Sequence, residues 1–526
     1  MNPSEELFKL IKSLTKSEKR FFKLSSSLQS GEKNYIRLFD AIENQLQYNE
    51  EEIKKIFKND TFINHLPSEK NHLYKLILKS LRAFSSENSV NSQLQDELKN
   101  VELLFVKSHF KECRKLVDRA KKLAYAYERF YYLFELINWE KQLLEEEYLS
   151  GNFDKNLDFL IHEEQDVLEK LRNLAEYRIL YSKINYVFRK GGFARDEREM
   201  ELVREISENH LIKGKNTALS RRAAATCYYI QGLAHVFNRD YNSSFEKFSK
   251  VVRIFEENPA LIQDIPKQYL RSLHNILMCY INNKNFDAFF ELKNKIQDLK
   301  HHPAFVSTDI QVKIFTYVFQ SELAAYDAMG DYEKSVSVIE KISEGMEHYK
   351  EHLSKEEQIL FHYNIAYALF GAGEFKEAMQ WLNKILNDNE PNLRQDIYGF
   401  ARLFNLIVRF EHEQYDYLDY VVKSTSRFLL KQKSLTGREY AFETVFIKNL
   451  KKISKLLALK STHEKNEKII SSFSEMKQNM SPMFKDNYGK VILGYFDFLS
   501  WMESKIENIS FAEMKKKLLK EKRKKG

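Results

Sequence analysis

Turn-forming residues are scarce in this chain. Its 526 residues include 15 Gly and 7 Pro, far below the combined share of about one in eight that is usual in globular proteins. A sandwich, barrel or doubly wound sheet of this length needs many corners built from those two residues, so the deficit predicts an all-α chain with brief connections. Cysteine is scarcer still. Cys113, Cys227 and Cys279 stand more than fifty residues apart, which leaves no CxxC site and argues against a disulfide framework. Long apolar runs are missing as well: the longest uncharged stretch, 223–238, has 16 residues and includes Thr, Gln, His and Asn, short of the roughly 18 apolar residues of a membrane helix. The first residues, MNPSEELFKLIKSLTKSEKRFF, carry Glu5 and Glu6 and no apolar core, so no secretory signal is expected. A cytoplasmic protein in reducing surroundings, without a membrane span, is the expectation.

Catalytic motifs are lacking too. His162, His412 and His463 each precede Glu, but the fourth residue after each is Asp166, Asp416 or Glu467, so no HExxH zinc helix forms. His348 and His352 lie one helical turn apart without an evident third ligand. Gly214-Lys215 and Gly489-Lys490 lack the earlier Gly of a phosphate loop, and there is no G-x-S-x-G elbow. A non-enzymatic chain with no cofactor and no metal is expected.

What is present is apolar and charged material in balance: 43% hydrophobic and 30% charged residues, enough for a continuous core and too little polarity bias for bulk disorder. The net charge of +8 is uneven. Residues 448–526 hold 19 Lys and Arg against 9 Asp and Glu, so the basic excess is entirely C-terminal. Its densest part is KKKLLKEKRKKG, Lys515 to Gly526, a tail expected to be too charged to bury.

A recurring unit runs through the middle of the sequence. Short polar breaks centred on one aromatic occur at Phe110, Phe153, Phe193, Tyr241, Phe286, Tyr332, Phe375 and Tyr415, at spacings of 40 to 48 residues. Seven residues after each aromatic, the side chain is apolar in all units except at Lys293; ten residues after, it is apolar except at Glu163 and Thr425. That stripe has helical spacing. Each break reads as the turn of an αα-hairpin, where Gly, Asn or Asp supplies the left-handed turn and the next N-cap while the aromatic wedges between the helices. Pro259, Pro266, Pro303 and Pro391 fall between hairpins and never at an aromatic turn. Helices this short cannot cover their own apolar face, so hairpins are expected to stack on their neighbours.

Asn364 to Pro391 reads NIAYALFGAGEFKEAMQWLNKILNDNEP, with Gly373, Phe375, Ala378, Leu382 and Ile385 in register. It resembles the tetratricopeptide repeat. Asp327 to Ile342 and the block from Cys227 match less closely. The family unit has about 34 residues and this chain averages about 44 between landmarks, so longer helices or joints are expected. The resemblance implies a right-handed superhelical α-solenoid whose first helices line a concave protein-binding surface. Lys and Asn of the family's carboxylate clamp are absent from the corresponding positions. Those first-helix positions are Tyr229, His274, Gln320, Tyr363 and Leu403, with Tyr367 one turn on from Tyr363, and Asn275 and Asn364 beside them to bond a peptide backbone. The same aromatics could equally be core between repeats.

Outside the period, residues 1–90 are expected to form a helical bundle that caps the array, and 431–510 a second helical cap before the 511–526 tail. Thr15 and Glu18 form a capping box, Ser68 is a candidate cap, and Lys75, Lys79 and Arg82 make a basic line on the last helix of the bundle. Val491 to Met502 reads as one apolar helix sealing the stack. The expected function is a scaffold binding a partner protein or peptide through Tyr229, His274, Asn275, Gln320, Tyr363, Asn364 and Tyr367. A second reading is a nucleic-acid- or ribosome-associated factor whose tail, Lys515, Lys516, Lys517, Lys520, Lys522, Arg523, Lys524 and Lys525, contacts a polyanion. A third is a regulator whose N-terminal bundle binds DNA.

Overall fold

A computed structural model describes residues 3–27, 34–85, 89–149, 157–191, 197–388, 395–436, 440–457, 463–485 and 487–525. The fold is all-α, with no strand among the described residues. No helix there is long and apolar enough to cross a membrane. The chain divides into two compact units, 1–171 and 172–526.

In the first unit, helices α1 (Pro3–Ser13), α2 (Lys16–Ser27), α3 (Asn34–Asn44), α4 (Glu50–Ile56) and α5 (Leu66–Ser85) enclose a core built around Leu7, Ile11, Phe22, Phe39, Ile42 and Ile77. The Thr15–Glu18 capping box forms as expected: the Glu18 carboxylate accepts from the Thr15 amide at 2.7 Å. Ser68 is not a cap, because α5 begins two residues earlier and takes Pro67 into its first turn. Lys75, Lys79 and Arg82 all lie exposed on α5. Helices α6 (Val90–Val106), α7 (Phe110–Ala126), α8 (Phe130–Leu149) and α9 (Leu157–Gly191) follow, and the division between the units falls inside α9.

The second unit continues with α10 (Glu197–Glu208), α11 (His210–Lys213) and the hairpin of α12 (Arg221–Phe237) and α13 (Tyr241–Glu256). Next come α14 (Pro259–Asp264), α15 (Pro266–Asn282), α16 (Phe286–Asp298) and α17 (Thr308–Met329). Then follow α18 (Tyr332–Ser337), α19 (Ile339–His348), α20 (Lys355–Gly371), α21 (Phe375–Leu386), α22 (Gln395–Glu411) and α23 (Tyr415–Thr436). The chain ends with α24 (Ala441–Leu457), α25 (His463–Met480), α26 (Asn487–Tyr495), α27 (Phe498–Glu507) and α28 (Phe511–Lys525). Each hairpin helix packs on its successor, and the first helices α15, α17, α20 and α22 also pack in sequence on one another. Pro259, Pro266 and Pro303 each open a helix in a joint between hairpins. The short helix at Pro259 and the turn at Pro303 add residues to the two units between Tyr241 and Tyr332.

Every described landmark aromatic is the first residue of its helix: Phe110, Tyr241, Phe286, Tyr332, Phe375 and Tyr415. Two residues before each stands one in the left-handed region: Ser108, Arg239, Lys284, Gly330, Gly373 and Glu413. The residue between them closes the turn with a backbone bond to the carbonyl five back, as from Asp331 to Tyr326 at 2.9 Å, the Schellman arrangement. Phe153, Phe193 and Pro391 lie outside the described residues. A further turn of the same kind, with Glu128 left-handed before Phe130, starts α8 and went unread in the sequence.

In the stripe ten residues after each aromatic, Ala120, Val251, Ile296, Ile342, Ile385 and Thr425 are 0–1% exposed and Val203 is 3% exposed, while Glu163 is half-buried and pairs with Lys121 at 2.7 Å. Lys293, the exception at position seven, reaches Glu322 at 2.9 Å. Close packing between successive hairpins needs a small residue where α20 meets the Tyr332 ring; a Cβ on Gly371 would overlap it. The left-handed turns make a stability prediction. Arg239 is exposed and holds a conformation that costs an L-residue about 1 kcal/mol relative to glycine. Arg239→Gly is expected to stabilise the protein by about 0.5–1 kcal/mol, seen as a rise in the thermal midpoint; a fall would show that the Arg239 side chain contributes more than its backbone strain.

Candidate functional site

Two adjoining clusters on the first helices of the second unit collect the residues singled out above. The first spans α9, α12, α15 and α17. Tyr229, 3% exposed, packs against Tyr181 and Phe248 and accepts a hydrogen bond from Asn275 Nδ2 at 3.1 Å. His274 stacks on Tyr317 at 4.3 Å, and its Nδ1 lies 3.1 Å from Ser321 Oγ. Arg271, one turn before His274 and Asn275, donates to the Tyr181 hydroxyl and lies beside the phenols of Tyr229 and Tyr317. Arg271, Tyr181 and Tyr317 were not singled out from the sequence. The R-x-x-H-N spacing of Arg271, His274 and Asn275 is the signal that would have found the arginine, since it places all three on one helix face. A cavity of about 470 Å³ opens here, lined by Arg178, Tyr181, Thr226, Asp264, Gln268 and Arg271 among others.

Burial holds the His274 imidazole down to about 4. The unfolded chain therefore takes up a proton near the ordinary value of 6.5 while the folded chain stays neutral there, so this contribution to stability is complete above that value and fades as pH falls toward 4. A loss on the order of 2–3 kcal/mol between pH 7 and pH 4.5 is expected from this residue. His274→Gln is expected to flatten that part of the urea midpoint against pH; an unchanged profile would remove the assignment. His362, also held down to about 4 by burial and the nearby Lys384 and Lys355, adds a second contribution of the same sign that the His274 variant leaves in place.

The second cluster joins α17 and α20 to the C-terminal helices. Tyr363 is 4% exposed and donates to the Tyr495 carbonyl at 3.1 Å. Tyr367 packs against Phe404, Phe496 and Phe511, and its hydroxyl accepts from the Asp497 amide at 3.4 Å. Asn364 lines a cavity of about 260 Å³ together with Asp327, Ser335, Tyr363, Tyr367, Asp497 and Lys515. Gln320 lies one turn before Ala324 of that cavity, and its buried Nε2 has no hydrogen-bond partner among the described residues. Thus Tyr363 and Tyr367 are covered by the chain's own C-terminal segment.

That segment differs from its sequence reading in two respects. Val491 to Met502 is not one helix: the chain breaks at Phe496 and Asp497, and Asp497 caps α27 by accepting from the Ser500 amide at 3.0 Å. Nor is the basic tail unburied. It forms α28, which packs on α17 and α27, with Met514 0% and Phe511 7% exposed. Lys515, with a side chain 14% exposed, bridges Asp327 at 3.4 Å and Asp497 at 3.2 Å. Burial opposes the charges of Asp497 and Lys515, and their mutual attraction outweighs it: the carboxyl is lowered and the ammonium raised from their ordinary values. Lys516, Lys517 and Lys520 remain on the exposed face of α28, where Lys517 pairs with Glu507. Lys522, Arg523, Lys524 and Lys525 lie on α28, and their side chains are outside the described residues.

All three cysteines are buried and unpaired. Among the described residues no group of three His, Cys, Asp or Glu side chains could hold a metal ion. No family model matches the chain, and no match appears among the curated proteins.

Proposed function

We propose that the second unit is a tetratricopeptide-like α-solenoid that binds a partner protein along the groove lined by its first helices. The reading rests on the regular hairpin turns and on the packing of α15, α17, α20 and α22 in sequence. The observation that carries it is the seating of α28 on α17 and α20, with Phe511 against Tyr367 and Lys515 between carboxylates. The chain's own amphipathic segment there makes the kind of contact by which helices bind grooves: an aromatic anchor and a fixed charge. Beyond α28, the row continues through Gln320, His274, Asn275 and Arg271 toward the 470 Å³ cavity.

The polyanion reading is the weaker one, since Lys515 is committed to Asp327 and Asp497. A photo-crosslinking residue placed at Gln320 in the full chain is expected to trap a discrete protein from native cell extract. The same residue at Lys295, exposed on α16, is expected to trap none. Equal trapping at both positions, or none at either, would refute the groove.

A further inference from the structure

We propose that the cavity lined by Arg178, Tyr181, Thr226, Gln268 and Arg271 is a carboxylate site that receives an Asp or Glu side chain from an acidic segment of the partner protein. The inference rests on the groove reading above and adds the chemistry of what binds there.

Charge at this cavity is not balanced by the protein. Its one lining carboxylate, Asp264, is taken by Arg222 at its edge. Lys267 is taken by Asp309. That leaves Arg271 and Arg178, neither of which forms an ion pair with a described residue. The Arg271 guanidinium is partly withdrawn from water and held by Tyr181 and neighbouring phenols. A phenol oxygen accepts a hydrogen bond but carries no charge, so the arginine is oriented without being neutralised. A cation in such surroundings is costly alone and is stabilised by an incoming anion.

The shape and the remaining groups select the anion. A guanidinium presents a planar fork of donors that matches a carboxylate at two points. The Gln268 amide and the Tyr181 hydroxyl stand around the same space and can donate to it, whereas Thr226, also in the lining, gives its proton to the Arg222 carbonyl at 2.8 Å. The volume of about 470 Å³ accommodates one acidic side chain with its neighbours rather than a strand of nucleic acid. Two uncommitted cations in a pocket are also too few for a nucleic-acid track, which neutralises a row of phosphates.

The test titrates the full-length protein with hexaglutamate blocked at both ends, so that only side-chain carboxylates are offered, at about 50 mM salt. The same titration is run with a single-stranded RNA hexamer and with glutarate. Hexaglutamate is expected to bind, and Arg271→Gln to weaken it roughly tenfold or more. Arg178→Gln is expected to weaken it roughly threefold, and Arg271→Lys to recover only part because the fork is lost. If Arg271→Gln fails to fold, the exposed Arg178 decides through its own variant. Hexaglutamate binding that is indifferent to the variants, tighter binding of the RNA, or binding of glutarate alone would each overturn the proposal. Failure of hexaglutamate to bind the parent protein while the Gln320 crosslink forms would sink the acidic partner and leave the groove standing.

Discussion

Lys515→Met is expected to lower the stability of the second unit by about 2–4 kcal/mol. Removing one member of a buried ion cluster leaves the others unpaired, which costs about 3–5 kcal/mol when they are fully enclosed. Here Asp497 and Asp327 retain side-chain exposures of 27% and 32%, so water offsets part of the loss. Urea denaturation followed by tyrosine and tryptophan fluorescence measures it. Adding Asp327→Asn and Asp497→Asn to the variant is expected to recover at least half, since neutral amides at those positions no longer need a counter-charge. The pair also sets a pH response. Asp497 has its carboxyl lowered in the folded state, so its stabilisation is present above the ordinary carboxyl value of 3.8 and is lost as pH drops through the lower folded value. Lys515→Met is expected to remove that acid-labile part. A variant within about 0.5 kcal/mol of the parent would place this cluster among ordinary surface pairs.

Phe511→Ala is expected to cost a further large amount, about 3–4 kcal/mol. The ring is 7% exposed and lies among Tyr332, Tyr367, Phe370 and Phe496, 5.4 Å from Phe370 and nearly parallel to Phe496. Truncation leaves a cavity walled by rigid rings that cannot collapse into it. Hydrogen exchange should then accelerate first in α28 and α27, because those helices depend on this anchor, while α12 and α13 keep their protection. Uniform acceleration, or a loss under about 1 kcal/mol, would show that α28 is held elsewhere. The two variants share one helix, so their combined effect is expected to fall short of the sum.

Local rules carried the sequence reading of the hairpins a long way. A polar break, an aromatic and an apolar stripe are all set within about ten residues of one another, and each described turn has the left-handed residue two before its aromatic. Even Thr425, polar in the stripe, is buried at the expected place. What the sequence hid is long-range. Lys515 looks like one more charge in a basic tail because its partner Asp327 is 188 residues away, and no count of local charge contains that distance. Tyr363 and Tyr367 read from sequence as groove positions or as core between repeats, and their own sequence gives no sign that it is α26 to α28 that return to cover them. The break at Asp497 was missed for a different reason: an Asp followed three residues on by Ser500 can cap a helix, but the apolar residues on both sides concealed the interruption.

The distance between Asp327 and Lys515 also has a temporal side. A ribosome adding about 5–20 residues per second delivers the lysine some 10–40 s after the aspartate and about 7–30 s after Tyr367, so α20 spends that shorter interval with Tyr363, Tyr367 and Phe370 lacking the cover of α28. A nascent chain in that state offers its stickiest surface to chaperones before its own last helix arrives to claim it.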